Sequence, residues 1–265
     1  MSKVMANFKP VIKLTIDLAK REIASRYKGS LFGYLWAIIT PLLLLLVYTF
    51  VFGSVFKSRW NGFDSTSGDF SIVLFIGMLT YNIFADSVSR SPWLITGNAN
   101  FVKKVIFPVA ILPVINVITA IFNFCMGLIP WLFINFYYHG LPPLTILLLP
   151  VIIMPVVLIG LGGSWLISAL GVYFRDVGQF IGVLIMLLMF CSPVFYSVSA
   201  VPEDFRIFFH INPIATTIEM ARQVSIFGTI PTFSNFIVPL AFSSIIAIFG
   251  YFFFMKSKKG FADVL

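Results

Sequence analysis

Charge is scarce in this 265-residue chain, which carries 18 Lys and Arg and 10 Asp and Glu, and four long stretches have none at all. No Asp, Glu, Lys or Arg occurs in 29–56, 105–174, 177–202 or 223–255, stretches of 28, 70, 26 and 33 residues. With 59% hydrophobic residues and a mean hydropathy of +1.00, this distribution excludes a soluble domain, whose elements each need a charged or polar face. Cysteine is nearly absent too: Cys125 and Cys191 stand far apart within apolar stretches, which excludes a disulfide framework and a cysteine metal cluster. The two histidines, His139 and His210, belong to no His-Glu-x-x-His or Ser-His-Asp pattern and read as solvated loop residues, so the chain is expected to hold no catalytic residue and no metal. A Gly-x-x-x-x-Gly-Lys-Ser/Thr loop is also missing, because Gly160, Gly162 and Gly163 are followed by no Lys-Ser/Thr pair. The chain is therefore expected to bind no ATP itself.

The charge-free stretches read as membrane crossings. A helix needs about 20 apolar residues to cross the hydrocarbon core, so the 70-residue stretch holds two spans and the other three hold one each. A sixth and weaker span covers 70–91, interrupted near its end by Asn82, Asp86, Ser87, Ser89 and Arg90; Asp86 and Arg90, four apart, are placed to pair. The expected architecture is an all-α integral membrane protein, a single domain over 1–265, with spans at 31–56, 70–91, 108–137, 144–172, 179–196 and 233–255. Pro155 and the Gly160–Gly163 cluster allow a bend or a close helix contact in the fourth of them. Basic residues resist translocation, and 14 of the 18 Lys and Arg fall in segments that are cytoplasmic if the N-terminus is inside. The other four are Lys57, Arg59, Arg206 and Arg222, assigned to outer loops. Both termini are accordingly expected in the cytoplasm. The net charge of +8 follows from this asymmetry and calls for no nucleic-acid partner.

Between the spans three segments carry information. In 1–28, Phe8, Ile12, Ile16, Ala19, Ile23 and Tyr27 recur at helical spacing opposite Lys9, Lys13, Asp17, Lys20 and Lys28, the pattern of an amphipathic helix lying at the inner surface; without an apolar signal core there, the first span is expected to direct insertion. The stretch 96–108, with helix-starting Asn98 and Asn100 and basic Lys103 and Lys104, is too short to cross and should also lie at the inner surface. In 201–228, Pro202 and Asn212-Pro213 read as helix starts and Gly228 as a stop, giving two short helices that dip into the outer leaflet and return. Two aromatic groups suit a sugar-lining surface, because aromatic faces stack on the apolar C–H faces of sugars: Tyr48, Phe52 and Phe56 on the first span, and Phe190, Phe195 and Tyr196 near the end of the fifth. Ordinary packing against lipid and neighbouring helices accounts for the same spacing. A carrier driven by protons or sodium keeps charges near the midplane, and five of the six spans have none, so uphill movement would need energy from a partner.

These residues resemble the permease subunit of bacterial ABC-type polysaccharide exporters, the family that exports O-antigen, capsule and teichoic acid. The resemblance is carried by 17–23 and 26–36, by Pro41-Leu42, by 98–108, 173–177 and 192–196, and by Asn212-Pro213, in family order over nearly the whole chain. It implies a homodimer bound to two ATP-binding cassette subunits, which hold the ATP and magnesium. Asp17, Arg21, Asn98, Asn100, Phe101, Lys103, Lys104, Arg175 and Asp176 would contact those subunits, and Pro202, Asn212 and Pro213 would belong to a periplasmic gate. The implied cargo is an undecaprenyl-linked glycan crossing the bacterial inner membrane, with lipopolysaccharide O-antigen the first choice and capsule or teichoic acid next. A drug or lipid exporter of the same fold, or a membrane-bound glycan-modifying enzyme, are the alternatives.

Overall fold

The computed structural model describes residues 2–55, 67–102 and 107–265, and every regular element among them is a helix. Helix α1 (Ser2–Tyr27) ends before Gly29, whose φ of 85° is left-handed and turns the chain into α2 (Trp36–Tyr48), which runs on through a widened π turn, Thr49–Val55. Then come α3 (Ser67–Ser89), the short α4 (Ala99–Val102) and α5 (Ile111–His139), which stops at Gly140. The fourth crossing is broken at Ile153 into α6 (Leu149–Ile152) and α7 (Met154–Tyr173), where Pro155 opens the new helix. After α8 (Val177–Phe190) follow the paired α9 (Glu203–Ile211) and α10 (Pro213–Arg222), then α11 (Phe233–Ser257) and α12 (Phe261–Val264).

Five helical stretches among the described residues are long and apolar enough to cross a membrane: Gly33–Phe52, Asp69–Trp93, Ile111–His139, Leu144–Tyr173 and Phe233–Val264. The expected span at 179–196 is only α8, 14 residues long, or about 21 Å at 1.5 Å per residue, against a hydrocarbon core of about 30 Å. Its charge-free sequence continues to 202, but Pro193 cannot donate a backbone hydrogen bond and disfavours helix at Ser192, so the chain leaves the helix at Phe190.

The span that looked weakest is the centre of the fold. Of the apolar window of α3, 78% is buried by the rest of the chain, against 6% for the first crossing. A helix surrounded by protein need not match lipid, so Ser71, Thr80 and Ser87 are tolerated in its buried faces. Its neighbours bind it with polar contacts: Trp131 donates to the Ile72 carbonyl (3.0 Å), Asn116 to the Ser87 carbonyl (2.6 Å), and the Tyr81 hydroxyl to the Ile185 carbonyl of α8. Asp86 accepts from Asn123 of α5 (2.8 Å) while Arg90 is exposed, so the expected Asp86–Arg90 pair is absent from the described ion pairs. His139 is not simply a solvated loop residue either. Its Nε2 lies 3.0 Å from Oδ1 of buried Asp69, tying the end of α5 to the start of α3.

The glycine cluster of α7 makes the close contact its sequence allows. A Cβ on Gly250 would fall 2.2 Å from the Gly162 carbonyl oxygen, and one on Gly162 would fall 2.6 Å from that of Ile246, so α7 and α11 touch backbone to backbone. At the other end of α7, the Tyr173 hydroxyl donates to the Ser257 carbonyl (2.9 Å) and buried Phe261 packs against Phe254.

Candidate functional site

Two surfaces are built from the residues singled out above. The first lies where α1 crosses the start of α5. Thr15 and Ala19, with Leu14 and Leu18, form the packed edge of α1, set against Ile111, Leu112 and Ile115; Ile12 and Ile16 stay exposed, so the buried line is rotated from the one the apolar spacing suggested. Thr15 can take a buried place because its hydroxyl bonds back to the Val11 carbonyl (2.8 Å). Beside this contact is a groove of about 300 Å³ lined by Arg21, Glu22 and Ser25 of α1, by Leu94, Asn98 and Phe101, and by Asn116 of α5. Three of the expected coupling residues, Arg21, Asn98 and Phe101, thus meet in one place. The Asn98 amide donates back to the Leu94 carbonyl (2.9 Å), holding 94–98 in a tight turn. Phe101 stacks on Phe107 at 4.7 Å. Asn100 and Asp17 are exposed outside the groove lining, and Lys103 and Lys104 lie outside the described residues.

Arg175 and Asp176 are exposed in the turn between α7 and α8, and glycines press that turn against the groove's own segment. A Cβ on Gly171 would fall 2.1 Å from the Pro92 carbonyl oxygen, and one on Gly178 would fall 2.3 Å from the ring of Trp93. The Pro92 backbone therefore rests directly on the end of α7, and the Trp93 ring on the start of α8. Ser91 adds a hydrogen bond to Ser164 (2.8 Å). Near the end of α1, Arg26 reaches Glu22 at 3.7 Å, and burial pushes its pKa down, with the neighbouring Arg90 charge acting in the same direction.

The second surface joins the two aromatic groups. Tyr48 and Phe52 are 6.2 Å apart; Phe52 stacks on Phe70 at 5.4 Å and on Phe195 at 6.3 Å; Phe195 lies 5.9 Å from Phe190. The Tyr196 hydroxyl donates to the Phe190 carbonyl (2.5 Å), and its ring meets Phe209 of α9 edge-on at 6.0 Å. Phe56 lies outside the described residues. Phe50, in the π turn that follows α2, is 64% exposed and joins none of these contacts. Phe70 and Phe209 were missed in the sequence, where nothing separates them from the other 29 phenylalanines.

The helix pair beside the aromatics starts as its sequence predicts. Pro202 precedes α9, and Asn212 caps α10, its Oδ1 accepting from the Ile214 N–H (3.0 Å), with Pro213 at the first helical position. The Asn212 amide also reaches Ser192 (3.3 Å), anchoring the pair to the end of α8. Gly228, with φ 67°, closes the following π turn. Arg222 departs from expectation: instead of a loop charge it is a buried clip, 1% exposed. Its Nε donates to the Val73 carbonyl of α3 (3.1 Å), Nη2 to the Val194 carbonyl (2.9 Å) and Nη1 to Glu219 Oε1 (2.8 Å). The i,i+3 spacing of Glu219 and Arg222 in an otherwise charge-poor stretch is the one local signal that could have pointed to it.

The family model for the ABC-2 type transporter matches residues 14–226, from α1 through the turn after α10. The chain belongs to the ABC-2 transporter membrane family. Both surfaces, the groove and the aromatic cluster with its helix pair, lie within the matched residues. Among ABC-2 relatives, the O-antigen export system permease protein RfbA of Klebsiella pneumoniae is 29% identical over 99% of both chains. RfbA of Myxococcus xanthus is 30% identical over 72% of this chain and 71% of that protein, and the polysialic acid transport protein KpsM of Escherichia coli is 24% identical over 83% and 84%.

Proposed function

We propose that this ABC-2 chain is the channel-forming permease of an ATP-driven exporter that moves a lipid-linked polysaccharide, foremost lipopolysaccharide O-antigen on an undecaprenyl carrier, across the inner membrane. The observation that carries the reading is the end-to-end likeness to the RfbA permeases. Two chains form a homodimer and two ATP-binding cassette subunits dock on the groove formed by Arg21, Asn98 and Phe101, together with Lys103, Lys104, Arg175 and Asp176. Both termini are cytoplasmic, α8 completes a sixth crossing with the turn that follows it, and α9 and α10 form a re-entrant periplasmic gate. Tyr48, Phe52, Phe56, Phe190, Phe195 and Tyr196 face the sugar chain, where stacking holds a polymer without fixing its position. The resemblance to KpsM supports capsule export as the second reading.

Cells lacking the gene should accumulate lipid-linked glycan inside and lose it from the surface, and the chemical identity of the accumulated polymer separates O-antigen from capsule. Replacing Tyr48, Phe52 and Phe56 together with Leu keeps the hydrophobicity and removes stacking, so surface glycan should fall about tenfold at unchanged permease level. Phe50→Leu should have a smaller effect. The opposite ranking would assign the stripe to lipid.

A further inference from the structure

We propose that the cavity between α9, α10 and α11 is a subsite for the hydroxyl groups of one or two sugar units of the transported glycan. The inference rests on the polysaccharide reading above and names where the polymer is held by hydrogen bonds. The cavity, about 340 Å³, is lined by His210, Thr216, Glu219, Gln223, Ser234 and Asn235, with Phe209 and Val238 among its apolar walls. This is the lower end of the size range of small-molecule sites, about 300–1,000 Å³.

The lining suits sugar hydroxyls, which donate and accept at once. Glu219 supplies an acceptor, Gln223 and Asn235 supply both a donor and an acceptor, Ser234 adds a hydroxyl, and Thr216, whose own proton goes to the Pro213 carbonyl (3.1 Å), adds an acceptor. The carboxylate of Glu219 is already answered by buried Arg222 at 2.8 Å, so the site offers a strong acceptor without an uncompensated charge. A neutral ligand fits that balance better than an anion. A metal ion fits poorly, because one carboxylate and one imidazole are the only such ligands here, and no cluster of three His, Cys, Asp or Glu occurs among the described residues. An acyl chain would match the apolar walls but offer nothing to the side chains of His210, Gln223, Ser234 and Asn235.

Position gives a second and independent argument. The wall residue Phe209 touches Tyr196, whose hydroxyl bonds to the backbone of Phe190, and the Phe190 ring leads through Phe195 to Phe52. An aromatic track that begins on α2 therefore ends at a wall of this polar cavity. Stacking along the track tolerates sliding, whereas hydrogen bonds in the cavity fix a sugar unit in place.

The test is photo-crosslinking in cells that make their own surface glycan. A benzoylphenylalanine is placed at Val238 in the cavity wall, at Phe52 in the track, or at Val183, exposed on α8, and glycan adducts are visualised after periodate oxidation of their diols. The expected result is a ladder of glycan adducts from Val238 and Phe52 and none from Val183. Combining the Val238 probe with Gln223→Leu and Asn235→Leu should weaken its ladder about tenfold while the Phe52 ladder persists. Adducts at Phe52 with none at Val238 would overturn the subsite and leave the export reading standing. No adduct at either position would overturn the export reading, and the subsite with it. The comparison of Val238 with Phe52 is made with every polar residue of the cavity unaltered, so it decides the matter even if the double variant fails to fold.

Discussion

Arg222→Met is expected to remove most folded protein from the membrane. The guanidinium is buried and donates to the Val73 carbonyl of α3, to the Val194 carbonyl beyond α8 and to Glu219, so three segments share one side chain. Methionine fills similar space but supplies none of those donors. Two buried carbonyls would then lose their donor, at about 1–3 kcal/mol each, while the part-exposed Glu219 carboxylate would lose its partner. That is a large part of a total stability of about 5–15 kcal/mol. Arg222→Lys should be intermediate, because a single ammonium cannot reach three acceptors spread around a planar fork. Gly77→Ala should resemble it, since the added Cβ would fall 2.5 Å from Arg222 Nη2. Thermal unfolding of the detergent-purified protein checks the series, and an unchanged midpoint for Arg222→Met would contradict the clip.

The second large effect is expected at Gly171. A side chain there meets the Pro92 carbonyl oxygen at 2.1 Å and the Pro92 Cα at 2.8 Å, and backbone cannot rotate away as a flexible side chain can. Gly171→Leu should therefore lift the 91–93 turn off α7 and shift the Leu94, Asn98 and Phe101 wall of the groove. Overpacking of this kind costs about 1–3 kcal/mol, enough to lower correct docking of the segment by about five- to 150-fold. The protein should still insert while export and stimulated ATP hydrolysis collapse together. Gly182→Leu is the control, because a Cβ there has nothing within 4 Å. Equal activity of the two variants would remove the 91–102 segment from the coupling surface.

What could be read in the sequence follows from what lipid demands. The apolar windows through α2, α5, α7 and α11 are left largely uncovered by the rest of the chain, and a hydrocarbon surrounding would forbid charge there, so gaps in the charge pattern outline them. Helix α3 faces protein instead, so its Ser, Thr and Asp residues made the most central helix look like the weakest span. Arg222 was read as a loop charge and His139 as a solvated loop residue for the complementary reason: their partners, Val73, Val194 and Asp69, are remote in sequence and only packing brings them close. Local signals served better. Pro202, Asn212 and Gly228 each act on their own backbone, and the helix pair begins and ends where they stand. The two aromatic groups could each be seen as periodic, yet their meeting at Phe52 and Phe195, through contacts that also include Phe70, depends on how α2 and the end of α8 pack.

The most direct test of the account is uptake of lipid-linked glycan by inverted membrane vesicles containing this chain, with and without its ATP-binding cassette partner. The purified chain alone should hydrolyse no ATP, and vesicles should accumulate glycan only when the permease, the partner and ATP are all present. ATP hydrolysis by the chain alone, or glycan uptake that persists without the partner, would contradict it.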